Sequence, residues 1–332
     1  MSPVPTVDLA EWKAADAKQR ERTAALLDAS LRDTGMFLLR GHGVAAELAE
    51  DLRSRGRAFF ALAAEQKATY GVTGPYTNGW RGLGLLKASA VDGVDSAPDL
   101  HEAFHMGPAH RTGDAKFDAL YYPENRWPSE VPELQTVATR YTAHMVRVAH
   151  EMLRLLAEVL AVPAEFFTSR AGRATWTQNV NWYPSLTTVG TVHHGQMRVG
   201  PHCDFGTLSL LDRQPGVGGL EVWSARGGWG APPYDPQALA VVLGDLMHLW
   251  TDGRWRALRH RVLAPSERAP DEELVSLVFF FEADPDTVVA PLAPPAGGGH
   301  GMRPVVAGQS ILEKVGVTLG SPLASADRRA LL

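Results

Sequence analysis

Residues 202–222 read HCDFGTLSLLDRQPGVGGLEV, and this stretch decides the predicted fold. It begins with His202 and Asp204, two residues apart, just before the apolar run 207–211. On a β-strand, side chains at positions i and i+2 point to the same face. An imidazole and a carboxylate can therefore reach one metal ion together. An isolated pair of this kind is also common on exposed strands, so its surroundings have to support the interpretation.

A third metal ligand is predicted farther along the chain. His260 lies in the strand-like segment 259–262, after 55 intervening residues (positions 205 to 259). Two histidines and one carboxylate form the facial triad typical of non-haem iron(II) oxygenases, which leaves positions open for a co-substrate and dioxygen. A zinc site would more often have four protein ligands or the helical H-E-x-x-H motif. The adjacent His193 and His194 would face opposite sides of a strand and would not readily share an ion.

The segments around these ligands predict an antiparallel sandwich or barrel. After position 174, short apolar runs alternate with turn residues: 176–183, 207–211, 220–223, 240–243, 247–249, 260–263 and 274–281. Earlier in the chain, the spacing of apolar residues predicts helices over 18–33, 46–62 and 137–160 and strands over 4–9 and 36–39. Residues 70–130 are rich in Gly, Pro and aromatic residues, and we expect loops around a cavity there.

Composition excludes some classes of protein. The 332 residues carry a formal net charge of −5 without a basic stripe, which argues against nucleic acid as a partner. A single cysteine, Cys203, rules out an intramolecular disulfide and favours a reducing, cytoplasmic location. No apolar run is long enough to span a membrane, and the N-terminus does not resemble a signal peptide. The expected partner is a small molecule, and the sequence leaves the oligomeric state open.

Several motifs in order resemble one family. The stretch 202–222, then GDLMHLWTDGRWRALRHRV (244–262) and SLVFFFEAD (276–284), resemble the C-terminal domain of the isopenicillin N synthase-like iron(II)/2-oxoglutarate-dependent oxygenases. The segments VPTVDL (4–9), TGMFLLRGHGV (34–44) and AFFALAAEQKATYGV (58–72) resemble the N-terminal region of the same family. The resemblance covers nearly the whole chain, from about residue 3 to residue 315.

This resemblance implies a mixed α+β fold with a double-stranded β-helix (jelly-roll) core, flanking helices and a long backbone helix. It divides the chain into a dioxygenase N-terminal region, 1–125, and a jelly-roll oxygenase domain, 126–332. It implies iron(II), 2-oxoglutarate as co-substrate, and dioxygen. By the same resemblance, His202, Asp204 and His260 are the metal ligands and the catalytic residues.

The co-substrate motifs match the family only in part. By resemblance, Tyr183 donates its hydroxyl group to a 2-oxoglutarate carboxylate, Asn181 lines the pocket, and Ser276 occupies the serine position of the family's Arg-x-Ser motif. The arginine position of that motif is Leu274, which cannot form the bidentate salt bridge that arginine makes with a carboxylate.

Three interpretations of this departure remain open. Another cation replaces the arginine, or the protein oxidises its substrate without 2-oxoglutarate as isopenicillin N synthase does, or the metal is kept while activity is lost. Arg213 and Arg256 are the preferred replacements, since Arg256 shares strand parity with His260 if that strand is regular. The full set of candidate cations is Arg198, Arg213, Arg254, Arg256, Arg259 and Arg268.

The substrate is expected between the barrel mouth and the loops of residues 70–125. The candidate polar contacts are Tyr76, Asn78, Arg81, Asp92, Glu102 and His105. Asp92, Asp95, Asp99 and Glu102 make this region acidic, which favours a cationic substrate such as an amino sugar or amino acid derivative in specialised metabolism, including antibiotic biosynthesis.

The reaction expected from the resemblance is hydroxylation, desaturation or oxidative cyclisation. A non-catalytic jelly-roll binding protein and a zinc hydrolase with the same three ligands are the alternatives from other classes.

Overall fold

The computed structural model describes residues 4–74, 77–94 and 96–318. The strands within these ranges are β1 Thr6–Asp8, β2 Met36–Arg40, β3 Gly79–Arg81, β4 Glu102–Met106, β5 Trp176–Tyr183, β6 Val199–His202, β7 Leu208–Asp212, β8 Leu220–Ser224, β9 Gly228–Gly230, β10 Leu239–Leu243, β11 His260–Val262, β12 Leu274–Phe281, β13 Val288–Val289 and β14 Val305–Val306.

The helices in the described ranges are α1 Leu9–Ala14, α2 Ala17–Asp33, α3 Ala46–Phe60, α4 Ala64–Thr69, α5 Ala115–Tyr121, α6 Leu134–Val159, α7 Leu186–Val189, α8 Asp245–Trp250 and α9 Ala307–Thr318, with 3-10 turns at Ala88–Asp92 and Thr168–Arg170. The predicted helices 18–33, 46–62 and 137–160 correspond to α2, α3 and α6. Among the described helices, none is both long and apolar enough to cross a bilayer.

Two sheets build the core of the molecule. The major sheet has the strand order β1-β2-β10-β7-β12-β5-β4-β3, and the minor sheet has the order β6-β11-β8-β9. A short ribbon of β13 and β14 stands apart from both. This architecture confirms the predicted jelly-roll barrel, and strands from the first 110 residues complete the edges of its major sheet.

The two faces of the major sheet have different roles. On β12, Val275, Leu277, Phe279 and Phe281 alternate along the strand and are buried in the main hydrophobic core, together with one face of α6. Burial of this apolar surface is the main source of stability for such a layer. The alternate positions of β12 face the inside of the barrel, because side chains change face at every residue of a strand. Helices therefore cover one face and leave the other free to line a cavity.

The structure corrects two predicted elements. Residues 70–130, where we expected only loops, contain β3, β4 and α5, and β4 pairs with β5. The predicted strand over 247–249 is wrong, because these residues lie in α8. The first backbone amides of α8, from Asp245 and Leu246, donate to the carbonyl oxygens of Asp204 and Gly206 at 2.9 Å each. This helix start therefore anchors the loop that follows β6.

Candidate metal centre and the cavity beside it

The three predicted ligands converge at the edge of the minor sheet. His202 ends β6 and His260 begins β11, and the two residues are directly opposite each other in this antiparallel pair. Nε2 of His202 lies 3.6 Å from Oδ1 of Asp204, and Nε2 of His260 lies 3.8 Å from the same oxygen. The three ligand atoms all lie within 4.8 Å of one another, which suits one ion bound between them.

Backbone carbonyls orient both imidazole rings. Nδ1 of His202 is 2.9 Å from the carbonyl oxygen of Gly200, and Nδ1 of His260 is 3.1 Å from that of Leu258. A ring that donates its Nδ1 proton to a carbonyl keeps a lone pair on Nε2 for a metal. Burial, followed by the neighbouring His260 ring, lowers the pKa of His202 and favours the neutral form that metals bind.

Asp204 is held by its second oxygen. Oδ2 accepts a hydrogen bond of 2.6 Å from the Ser209 hydroxyl on β7, so Oδ1 is the oxygen directed at the two histidines. The Asp204 side chain is 5% exposed, which restricts its other contacts to the site itself. The donor set of two imidazole nitrogens and one carboxylate fits a divalent iron with open coordination positions.

Sequence reasoning missed a buried acid next to this loop. Glu282 follows β12, lines the cavity and accepts a 2.8 Å hydrogen bond from the Thr207 amide. Its carboxyl group packs against Gly206, where an added Cβ would overlap a Glu282 oxygen. Burial raises the pKa of Glu282 to about 8. The polar residue after the phenylalanine run 279–281 is the only sequence signal that could have marked it.

A cavity of about 840 Å³ extends from the metal ligands between the two sheets. Cross-strand pairing brings the predicted co-substrate residues together, since Ser276 is opposite Asn181 and Leu274 is opposite Tyr183. All four residues line the cavity. Burial raises the pKa of Tyr183 to about 12, so its hydroxyl group keeps its proton at neutral pH and can donate.

The candidate arginines differ in whether they line the cavity. Arg198 and Arg213 line the cavity. Arg256 does not, and its prediction as a co-substrate residue is corrected here: its side chain is exposed, and Nε donates to the Arg32 carbonyl at 3.0 Å. The parity argument fails because regular strand begins only at His260, so the side chain of Arg256 has no fixed relation to the barrel interior.

The expected substrate contacts are only partly at the cavity. Asn78, Arg81 and His105 line it, whereas Tyr76 and Asp95 lie outside the described residues. Glu102 faces the other side of β4, where its carboxylate pairs with Lys67 at 2.8 Å and accepts from the Trp80 indole at 2.6 Å.

The remaining acids of this region also have protein partners. Asp92 pairs with Arg259 at 2.9 Å. Asp99 lines the cavity but accepts from the backbone amides of Ala88 at 2.8 Å and Gly200 at 2.9 Å. The acidic composition of this region is therefore used within the protein, and it does not by itself make the cavity negative.

Asn179 is a cavity residue that sequence reasoning did not identify. It lies on β5 two positions before Asn181, so it points to the same side of the sheet. Its Oδ1, like Nε2 of His105, is buried without a hydrogen-bond partner in the described part of the chain. Buried polar atoms of this kind usually have a partner, so they mark this wall of the cavity as a place for a polar ligand.

Comparisons with known proteins agree with this geometry. Residues 4–130 match a family model described as the N-terminal region of a non-haem dioxygenase in morphine synthesis, and residues 178–283 match that of the 2OG-Fe(II) oxygenase superfamily. The chain is 60% identical over 311 residues to a validamycin A dioxygenase of Streptomyces hygroscopicus subsp. limoneus, covering 94% of this chain and 85% of that protein.

More distant relatives extend the comparison. A homoarginine-6-hydroxylase of Glycine max is 30% identical over 330 residues, covering 95% of this chain and 96% of that one. A full-length protein of Neurospora crassa, solved in complex with alpha-KG, has a TM-score of 0.81 at 20% identity, covering 94% of this chain and 95% of that one. At that identity the likeness concerns the fold alone.

Proposed function

We propose that this chain, which belongs to the 2OG-Fe(II) oxygenase superfamily, oxidises an amino sugar derivative related to validamycin A. It is a dioxygenase that uses iron(II), 2-oxoglutarate and dioxygen. The observation that carries the proposal is the 60% identity to a validamycin A dioxygenase over almost the whole chain. The polar wall that contains Asn179 and His105 supports it, since a substrate with many hydroxyl groups could bond the buried Asn179 Oδ1 and His105 Nε2, which have no partner in the described residues.

We propose His202, Asp204 and His260 as the iron ligands. Iron(II) held by these residues would supply the redox chemistry by which dioxygen oxidises 2-oxoglutarate to succinate and carbon dioxide and also oxidises the substrate. The chain itself places a backbone carbonyl oxygen against Nδ1 of both histidines and aims Oδ1 of Asp204 at the shared position. The metal therefore binds without a rearrangement of the ligands, which is the advantage of a preorganised site.

The co-substrate is proposed to bind between the iron and the Leu274 end of the cavity. The Tyr183 hydroxyl donates to a carboxylate of 2-oxoglutarate, while Asn181 and Ser276 line the same wall. Oδ1 of Asn181 is buried without a partner in the described residues, consistent with a place reserved for ligand. A small-molecule partner and a cytoplasmic location complete the proposal, the latter on the basis of the single cysteine.

Turnover by reconstituted protein tests the function. Protein purified without oxygen is loaded with iron(II) and supplied with 2-oxoglutarate, dioxygen and validamycin A, and succinate and product mass are measured. We expect succinate and oxidised product in equal amounts, and the product's mass separates hydroxylation from desaturation or cyclisation. Formation of succinate with no change in validamycin A would contradict the proposed substrate. Product formation without 2-oxoglutarate would contradict the co-substrate role.

A further inference from the structure

At the far end of the cavity, position 274 lacks the arginine that would pair with the second carboxylate of a dicarboxylate. On the proposed function, 2-oxoglutarate places its distal carboxylate near Tyr183 and Leu274. A buried carboxylate without a charged partner is strongly disfavoured. Leu274 instead packs in a small apolar cluster with Tyr183, Val199 and Val262. The positive charge must therefore come from a different position in the fold.

Arg198 lies at this end of the cavity. It comes directly before β6, four residues before His202, and it lines the cavity while only 1% exposed. Its Nη2 donates to the carbonyl oxygens of Pro184 at 3.3 Å and Glu272 at 3.1 Å. Pro184 follows Tyr183, and Glu272 precedes Leu274 by two residues, so these bonds hold the guanidinium beside the Tyr183–Leu274 pair.

The guanidinium still has capacity for an anion. Its Nη1 donates to the Gly218 carbonyl at 3.2 Å, and Nε is buried with no hydrogen-bond partner in the described residues. Nη1 forms an ion pair with Glu272 at 3.7 Å, and this carboxylate also accepts from the amides of Val217 and Gly218. Arg198 thus has the charge, the burial and an unused donor.

We propose that Arg198 binds the distal carboxylate of 2-oxoglutarate in place of the arginine that the family carries at the position of Leu274. The Arg198 guanidinium reaches this end of the cavity from the residue before β6 and is fixed there by the carbonyls of Pro184 and Glu272. Arg213 is the rival, but its guanidinium bonds the Pro233 carbonyl and lies 5.4 Å from the Tyr234 ring, at the rim of the cavity.

The test measures binding of 2-oxoglutarate to iron(II)-loaded protein without oxygen, by calorimetry. The probe for the distal carboxylate is 2-oxopentanoate, which has the same five-carbon chain and lacks that group. We expect Arg198→Met to raise the Kd for 2-oxoglutarate by at least about 30-fold, as removal of one partner of a buried charge pair does. The Kd for 2-oxopentanoate should change much less, so the preference for the diacid collapses.

Moving the charge gives the sharper experiment. In the double variant Arg198→Met, Leu274→Arg, the cation returns to the family's position, and we expect most of the lost affinity for 2-oxoglutarate to return. The matched control is Arg256→Met, the same change on an exposed arginine outside the cavity, which should leave both Kd values unaltered. Arg198→Lys, which keeps the positive charge but cannot form the bidentate hydrogen bonds of a guanidinium group, should give an intermediate Kd for 2-oxoglutarate.

The outcomes separate the inference from the proposed function. Wild-type binding of the diacid by Arg198→Met would overturn the role of Arg198, as would a loss confined to Arg213→Met. If iron-loaded wild-type protein does not bind 2-oxoglutarate, the proposed function fails first. Should Arg198→Met not fold, a double variant that folds but still does not prefer 2-oxoglutarate over 2-oxopentanoate would count against the inference.

Discussion

The two ends of the cavity are built in different ways. At the metal end, His202 and Asp204 are separated by one residue and His260 is the direct cross-strand neighbour of His202, so backbone geometry alone brings the ligands together. At the far end, the family's arginine position holds Leu274, and the buried arginine there, Arg198, comes from the residue before β6. Short ligands depend on their place in the backbone, whereas a long, flexible cation can reach the same point from several places.

Removal of a metal ligand should have the largest effect. Asp204→Ala deletes the only carboxylate of the ligand set, and we expect loss of bound iron and of turnover. The loss should exceed the roughly 10–100-fold typical of residues that only orient ligands. Iron content per chain and succinate formation measure it, with Asp286→Ala, an exposed acid paired with Arg173, as the control. A variant that retains iron and activity would show that the short spacing does not define the metal end.

The second largest effect is expected when a second cation is introduced at the far end of the cavity. Leu274→Arg alone places a second guanidinium beside Arg198, at a partly buried position. We expect the repulsion between the two guanidinium groups to lower the free energy of unfolding by roughly 2–3 kcal/mol, the upper part of the range for ordinary single substitutions. Urea denaturation measures this cost, and adding Arg198→Met should remove most of it. A Leu274→Arg variant as stable as the wild type would mean that positions 198 and 274 can hold a cation at the same time.

A smaller effect on iron affinity is expected when the residue that orients Asp204 is changed. Ser209→Ala removes the hydrogen bond to Oδ2 of Asp204 and leaves the ligand in place. Loss of such an orienting partner should weaken iron affinity by about 10–100-fold. Ser224→Ala is the matched control, because this buried serine bonds Asp33 away from the site and should leave iron affinity unchanged. Equal iron affinity in Ser209→Ala and wild type would remove Ser209 from the metal end.

The contrast between the two ends also explains what the sequence could predict. The antiparallel barrel and the long helix follow from periodicity, which acts over a few residues, whereas the three ligands were assigned together through the resemblance to one family. Arg198 could be named only as one of six candidates, because no local pattern records where the tip of a long side chain lies. The parity argument for Arg256 failed for a related reason: it assumed a regular strand where the chain before His260 is irregular.

Glu102 and the segment 247–249 show a second limit. Both predictions were based on residue type alone, without information about which residues become neighbours in the fold. Glu102 faces Lys67, 35 positions away, and α8 forms because its first amides bond the loop after β6. Partners that are distant in sequence decided the role of each, and only the folded structure brings them together.

The last prediction concerns Glu282, the buried acid beside the loop that carries Asp204. Its pKa is raised to about 8 in the folded protein, above the value near 4.5 of an exposed glutamate. Between these two pH values the folded state holds a proton that the unfolded state has lost. Stability of the metal-free protein should therefore fall as pH rises through this window, by about 1.4 kcal/mol per pH unit.

Glu282→Gln keeps an acceptor for the Thr207 amide and cannot ionise, so the variant should lack this slope and be the more stable protein at pH 8. Urea denaturation of both proteins at pH 5, 6.5 and 8 measures the difference. Parallel pH profiles would mean that the carboxyl group is ionised in the fold. In that case the metal end would contain two buried negative groups, those of Asp204 and Glu282. Charge would then contribute to the structure of the metal end, as it does at the far end, in addition to backbone spacing.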